Sequence, residues 1–180
     1  MKILIVLVVV FIFYIIIVRN KLVKLQNQVD EAFSTMDVYL KKRWDLVPNI
    51  VATVKGYTQY ESETLQKVTE LRTNNYDTLI TNDKITKNLE LEDMMHNVSM
   101  VVENYPDLKA DTSYLQLNET LNNVEKDIEN SRKYYNAVVR MYNNKVEMFP
   151  SNLVSKMFLF ETKRMFEANE SERKNVKVEL

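Results

Sequence analysis

The residues of this chain whose types and spacing could do chemistry are charges placed where apolar groups belong. In a segment whose apolar positions Ile50, Val54, Leu65 and Val68 recur at helical spacing, Glu61 and Arg72 fall inside the same arc. Farther on, Asn118, Glu125, Arg132, Asn136 and Asn143 run along the edge of a second apolar stripe. Charges in such places must be paired, because an isolated buried charge is prohibitively costly. Two pairings satisfy the signs. If the second and fourth amphipathic segments run antiparallel, Glu61 opposes Arg132 and Arg72 comes within about one turn of Glu125. If the first and fourth are the antiparallel neighbours, Asp37 faces Arg132 and Arg43 approaches Glu125. Both remain open in the sequence. The resulting layer, drawn from Asp37, Glu61, Arg72, Glu125, Arg132 and Asn136, has two uses. It fixes the register of the helices, the simpler reading, or it forms a ligand- or proton-sensitive site from Glu61, Glu125 and Arg132.

No reaction centre emerges beside it. The single histidine, His96, lies opposite the stripe Leu91, Met95, Val98 and Val102 and is expected to face solvent. Asp93-Met94-Met95-His96 has the carboxylate-x-x-His spacing of di-metal bundle sites, but those need two such motifs and a second histidine is absent. With no cysteine there is no thiolate zinc site, and one glycine leaves no phosphate-cradling loop. No catalytic, cofactor-binding or metal-ligating set is expected.

One glycine and three prolines in 180 residues favour long helices over turns. The first rod carries Leu22, Leu25, Val29, Phe33, Met36, Leu40 and Trp44 on one stripe, and Pro48 is expected to end or kink it. A second carries Ile50, Val54, Tyr57, Leu65 and Val68, and Asn74 to Thr86 reads as a loop. A third uses Leu91, Met95, Val98, Val102 and Tyr105, and Pro106 starts a turn. The fourth presents Leu117, Leu121, Val124, Ile128, Tyr135, Val139, Tyr142 and Val146. The expected fold is all-α, an antiparallel four-helix bundle in which these stripes cover one another. After Pro150, Leu153, Val154, Met157, Phe158, Phe160, Met165 and Phe166 are expected to fold back on the bundle rather than meet a membrane or partner.

Ahead of the bundle, Ile3 to Val18 is one unbroken apolar run of roughly 16 residues, about 24 Å of helix against a hydrocarbon core of about 30 Å. Lys2 and Arg19 can snorkel to cover the difference. A cleaved secretory signal shares this pattern, but no small-x-small site follows Val18, so an uncleaved single-pass anchor is expected. Arg19, Lys21 and Lys24 outweigh Lys2 and the terminal amine, which places the body in the cytosol behind a short external amino terminus. The organisation is an anchor over 1–20, a helical body over 21–167 and a charged, frayed tail over 168–180. Lysine and arginine number 24 against 25 acidic residues, a net charge of -1, and give no footprint for nucleic acid. Lys41-Lys42-Arg43 reads as a solvated face or as ion-pair partners.

Ala32-Phe33-Ser34, Asp37-Val38, the run Leu40-Lys41-Lys42-Arg43-Trp44-Asp45-Leu46-Val47-Pro48-Asn49-Ile50-Val51 and Thr53-Val54-Lys55-Gly56-Tyr57 resemble the pattern of bacterial LemA proteins. Glu103-Asn104-Tyr105-Pro106-Asp107-Leu108-Lys109-Ala110, Glu125, Arg132-Lys133-Tyr134-Tyr135-Asn136, Tyr142-Asn143 and Phe149-Pro150-Ser151-Asn152 follow it in the same order. The sequence departs from it at Phe33, where tryptophan is usual, and at Leu159, where a glycine commonly separates two phenylalanines. The resemblance implies a single-pass membrane protein with an elongated helical bundle, and no particular reaction. The function expected is a membrane-anchored interaction or scaffold module of the bacterial cell envelope. It would meet the bilayer through Ile3 to Val18 and a protein partner through its body, with no oligomer demanded by a heptad pattern. The rival is a sensory or small-ligand-binding module built on the polar layer.

Overall fold

The structure, a computed structural model, describes residues 1–57, 70 and 76–166. Among these, all regular structure is helical: α1 (Lys2–Lys55), a 3-10 turn (Tyr76–Thr78), α2 (Thr81–Glu103), α3 (Pro106–Lys109), α4 (Thr112–Glu147) and α5 (Ser151–Met157). Leu65 and Val68 of the second expected rod, and the tail 168–180, lie outside the described residues.

Helix α1 carries Pro48 in its interior rather than ending there. A proline costs a helix about 3 kcal/mol by removing one hydrogen bond and crowding the preceding turn. Trp44, Val47, Ile50, Val51 and Val54 bracket it and are all buried. Each such side chain contributes roughly 1.5–3 kcal/mol on burial, so packing outweighs the proline. Tyr57, expected on this stripe, lies just past the helix end and is exposed.

Helix α2 begins at Thr81, inside the stretch expected to be a loop. Ile85 and Asn88, both fully buried, extend the inward face of Leu91, Met95, Val98 and Val102 by two further turns. Polar composition hid that face. Pro106 opens the one-turn helix α3 at a position whose N–H would have no helical partner anyway, and Leu108 beneath it is buried. Asp111 then caps α4: its Oδ1 accepts the Tyr114 N–H at 2.9 Å, satisfying a donor left free in the first turn. Of the expected α4 stripe, Leu121, Val124, Ile128, Tyr135, Val139, Tyr142 and Val146 are buried, and Leu117 is only half-buried.

Helix α5 turns Ser151, Val154 and Ser155 inward. It closes with Leu159 N–H donating to the Lys156 carbonyl at 3.3 Å and Phe160 N–H to the Ser155 carbonyl at 2.9 Å. This Schellman arrangement requires a left-handed residue after the helix, a place favoured by glycine. Leu159 occupies it with φ 56°.

The chain divides into two compact units. The first takes residues 1–36 and 130–166, the second the described part of 37–129. In the first, Leu22, Leu25, Val29, Ala32 and Met36 of α1 are buried with Tyr135, Val139 and Tyr142 of α4, and Phe33 meets Tyr135 edge-on at 5.8 Å between centroids. The side chains of residues 3–13 are exposed. By length and composition α1, through its apolar amino-terminal portion, could cross a membrane. The apolar chain after Pro150 divides: Val154 and Phe166 are buried as expected, but Leu153, Met157, Phe158 and Leu159 are exposed.

Candidate functional site

In the second unit a polar network is assembled around Arg43, whose position three residues after Leu40 and four before Val47 puts it inside the apolar stripe of α1. Its side chain is fully buried. Nη1 donates to both carboxylate oxygens of Glu125 on α4, at 3.0 and 3.2 Å, with Glu92 of α2 at 3.8 Å. Nη2 donates to the backbone carbonyl and to Oδ1 of Asn88, each at 3.0 Å. Nε finds no hydrogen-bond partner among the described residues. Asn88 is itself buried, and its Nδ2 donates to the Lys84 carbonyl at 3.0 Å and to the Tyr76 hydroxyl at 3.2 Å.

Tyr76 continues the chain by donating its O–H to Asp37 Oδ1 at 2.7 Å, while Lys84 Nζ reaches Asp37 Oδ2 at 2.6 Å. The Tyr76 ring lies 5.3 Å from that of Trp44, with the Lys84 ammonium 4.9 Å from its centroid. Burial raises the Tyr76 hydroxyl well above the ordinary tyrosine range, and the bond to Asp37 raises it further. A hydroxyl so held is a permanent donor. Asp37, Lys84, Tyr76, Asn88, Arg43 and Glu125 therefore form one hydrogen-bonded path across α1, the 3-10 turn, α2 and α4.

The contacts fix helix directions in this unit. From Arg43 with Glu125 to Tyr57 with Asp111, whose atoms are 3.0 Å apart, α1 and its end advance by as many residues as α4 retreats. These helices are antiparallel in register. From Asp37 with Lys84 to Arg43 with Asn88, α1 and α2 advance together.

In the first unit the polar edge of α4 does different work. Asn136 Nδ2 donates to the Phe166 carbonyl at 2.7 Å and its Oδ1 accepts the Phe166 N–H at 2.8 Å. Asn143 repeats this on Lys163, at 2.9 and 2.8 Å. Between Lys163 and Phe166, the Arg164 carbonyl accepts from the Tyr135 hydroxyl at 2.9 Å. The helix rises about 10.5 Å from one asparagine to the other, which about 10 Å of near-extended chain from Lys163 to Phe166 matches. Arg132 lies over the Phe166 ring at 4.5 Å.

The sequence-derived candidates thus separate. Asp37 and Glu125 join the buried network, Arg132 and Asn136 hold the segment ending at Phe166, and Glu61 and Arg72 lie outside the described residues. Of the two pairings, the approach of Arg43 to Glu125 is present. The oxygens of Asp37, expected to face Arg132, are taken by Tyr76 and Lys84. His96 is exposed, as expected of a residue opposite its stripe.

A family model for LemA matches residues 32–180 of the chain. Protein LemA of Metamycoplasma hominis is 31% identical over 173 residues, covering 92% of this chain and 77% of that protein. The chain belongs to the LemA family. In this LemA-family chain Arg43, Glu125, Arg132 and Asn136 all stand within runs that carry the resemblance. Asn88, Tyr76 and Lys84 stand outside those runs, and sequence reasoning missed their part in the network. Asn88 was nonetheless findable, since it falls three residues from both Ile85 and Leu91 on the inward face.

Proposed function

We propose that this LemA-family chain is a membrane-anchored helical interaction module. Residues 3–18 sit in the bilayer, and the body recruits another protein at the membrane surface. The observation that carries this reading is α1 itself, a single helix from Lys2 to Lys55. Its first part exposes apolar side chains in every direction, which in water would be a large unmet cost. Its later part supplies core residues to the helical body. The excess of Arg19, Lys21 and Lys24 over Lys2 and the terminal amine supports a cytosolic body. The polar network serves this role by holding the helices in one register, with its charges matched to partners, and the role needs no reactive group.

A second reading has one observation in its favour: Asp37 and Arg43 ride on the helix that also carries the apolar run, so a change at the network could be passed along it. A small ligand or proton acting there would make the module a sensor. Proximity labelling in living cells tests the interaction reading. Discrete neighbours above background are expected for the full chain. Labelling that never exceeds background would overturn it.

A further inference from the structure

Between Glu147 and Glu161 the chain carries no acidic residue and one cation, Lys156. Ser151, Val154 and Ser155 turn into the first unit, and the opposite side is apolar and open to solvent: Phe149 is 78% exposed, Leu153 60% and Leu159 85%, with Met148 and Met157 also exposed. A cluster of exposed apolar side chains without a partner among the described residues points to a binding surface.

Two further observations say what covers it. The Arg19 guanidinium lies 5.2 Å above the Phe158 ring, and Arg19 is the first charged residue after the run ending at Val18. The open face therefore sits at the level where α1 leaves its apolar segment, whose last turn exposes Ile16 and Ile17. Leu159 holds the left-handed conformation at φ 56°, which a branched side chain adopts only at a cost, yet its side chain is exposed. An apolar residue kept there belongs in an apolar surrounding.

We propose that this face, Met148, Phe149, Leu153, Met157 and Leu159, lies in the interfacial layer of the bilayer that holds residues 3–18. It is a second, monotopic membrane contact beside the anchor. The proposal rests on the anchor reading given above. Helices with one apolar face settle about 5–10 Å into the boundary between headgroups and acyl chains. Lys156 can snorkel to the phosphates, and Arg19, Lys21 and Lys24 lie at the same headgroup level. The consequence is orientation: a single spanning helix leaves a body free to rotate and tilt, whereas two contacts fix which side it presents to a partner.

The chain has no cysteine, so single cysteines report without background. Nitroxides are attached at Val10→Cys, Leu153→Cys, Leu159→Cys and, as an aqueous reference, Asn144→Cys in the full chain. Each protein is reconstituted in phosphatidylcholine–phosphatidylglycerol vesicles, and its collisions with oxygen and a nickel chelate are compared. The expected result is oxygen preference deepest at Val10, clear at Leu153 and Leu159, and absent at Asn144. Nickel access at Leu153 and Leu159 equal to that at Asn144, with Val10 in lipid, overturns the proposal and leaves the anchor standing. Shielding from both reagents, with spin–spin broadening that grows with protein-to-lipid ratio, assigns the face to a second copy and equally overturns it. An aqueous Val10 removes the anchor and the proposal together.

Discussion

Arg43 and Glu125 meet across α1 and α4 with Nη1 3.0 Å from Oε2, the arginine side chain fully buried and the glutamate 37% exposed. The asymmetry decides how the pair responds to mutation. Removing Glu125 leaves a buried cation with Glu92, 3.8 Å away, as the remaining carboxylate among the described residues, whereas removing Arg43 leaves Glu125 able to turn to water but takes the donor from the buried carbonyl and Oδ1 of Asn88. Glu125→Ala is expected to cost about 3 kcal/mol, at the low end for a broken buried pair, and Arg43→Met a comparable amount, because the buried Asn88 acceptors lose their donor. Denaturant unfolding of the full chain in detergent, arranged as a double-mutant cycle, checks this. A Glu125→Ala protein as stable as the parent would mean the guanidinium is not desolvated as described.

Leu159 supplies a backbone prediction. A left-handed conformation costs a non-glycine residue roughly 1–2 kcal/mol, and β-branched residues suffer most. Leu159→Val is expected to be less stable than the parent by about 1 kcal/mol, while Leu159→Gly trades relief of the backbone strain against loss of the side chain's apolar contact. A Leu159→Val protein as stable as the parent in thermal melts would contradict the left-handed turn.

Asn136 and Asn143 each hold both backbone groups of one residue, so Asn136→Ala would free Phe166 and Asn143→Ala would free Lys163. Two net hydrogen bonds of about 1 kcal/mol apiece are lost in each case. Trypsin cleavage after Lys163 or Arg164 is expected to accelerate about tenfold or more in either variant, since roughly 1.4 kcal/mol is a factor of ten. Unchanged cleavage rates would show that the segment is held by Phe166 packing alone.

Tyr135 gives the fold a pH dependence. Burial, with Asp30 nearby, pushes its hydroxyl from 10.0 up to about 12. A group that keeps its proton longer when folded contributes its full stability below pH 10 and loses it as pH rises from 10 toward 12. Tyr76 acts with the same sign. Tyr135→Phe is expected to lose about 1 kcal/mol at neutral pH with the bond to the Arg164 carbonyl, and to show a shallower fall in melting temperature above pH 10. A fall as steep as the parent's would assign the alkaline loss to other groups.

Much of this is legible in the residues, for identifiable reasons. Steps of three and four along Leu22 to Trp44 and Leu121 to Val146 announce buried stripes because core packing selects them directly. Pro48 misleads because the local cost of proline is smaller than the burial that surrounds it. The start of α2 is obscured because Thr81 to Thr86 is polar and only Ile85 marks its inward face. Arg43 stands in a basic run that suggests a solvated face, although its spacing from Leu40 and Val47 already places it inside. Asn136 is singled out by its stripe, but its partner, a backbone segment of irregular chain, has no periodicity to reveal it. The unusual Leu159 is visible as a departure from the family pattern, and φ 56° gives that departure its physical meaning.

The most direct test of the account is whether the full chain behaves as an integral membrane protein in cells. Alkaline carbonate extraction is expected to leave it in the membrane pellet. Val9→Lys with Phe13→Lys, each charge adding about 2.5–3.5 kcal/mol to insertion, should release a protein whose circular dichroism is still helical. Recovery of the unaltered chain in the carbonate supernatant, or retention of the doubly charged variant in the pellet, would contradict it.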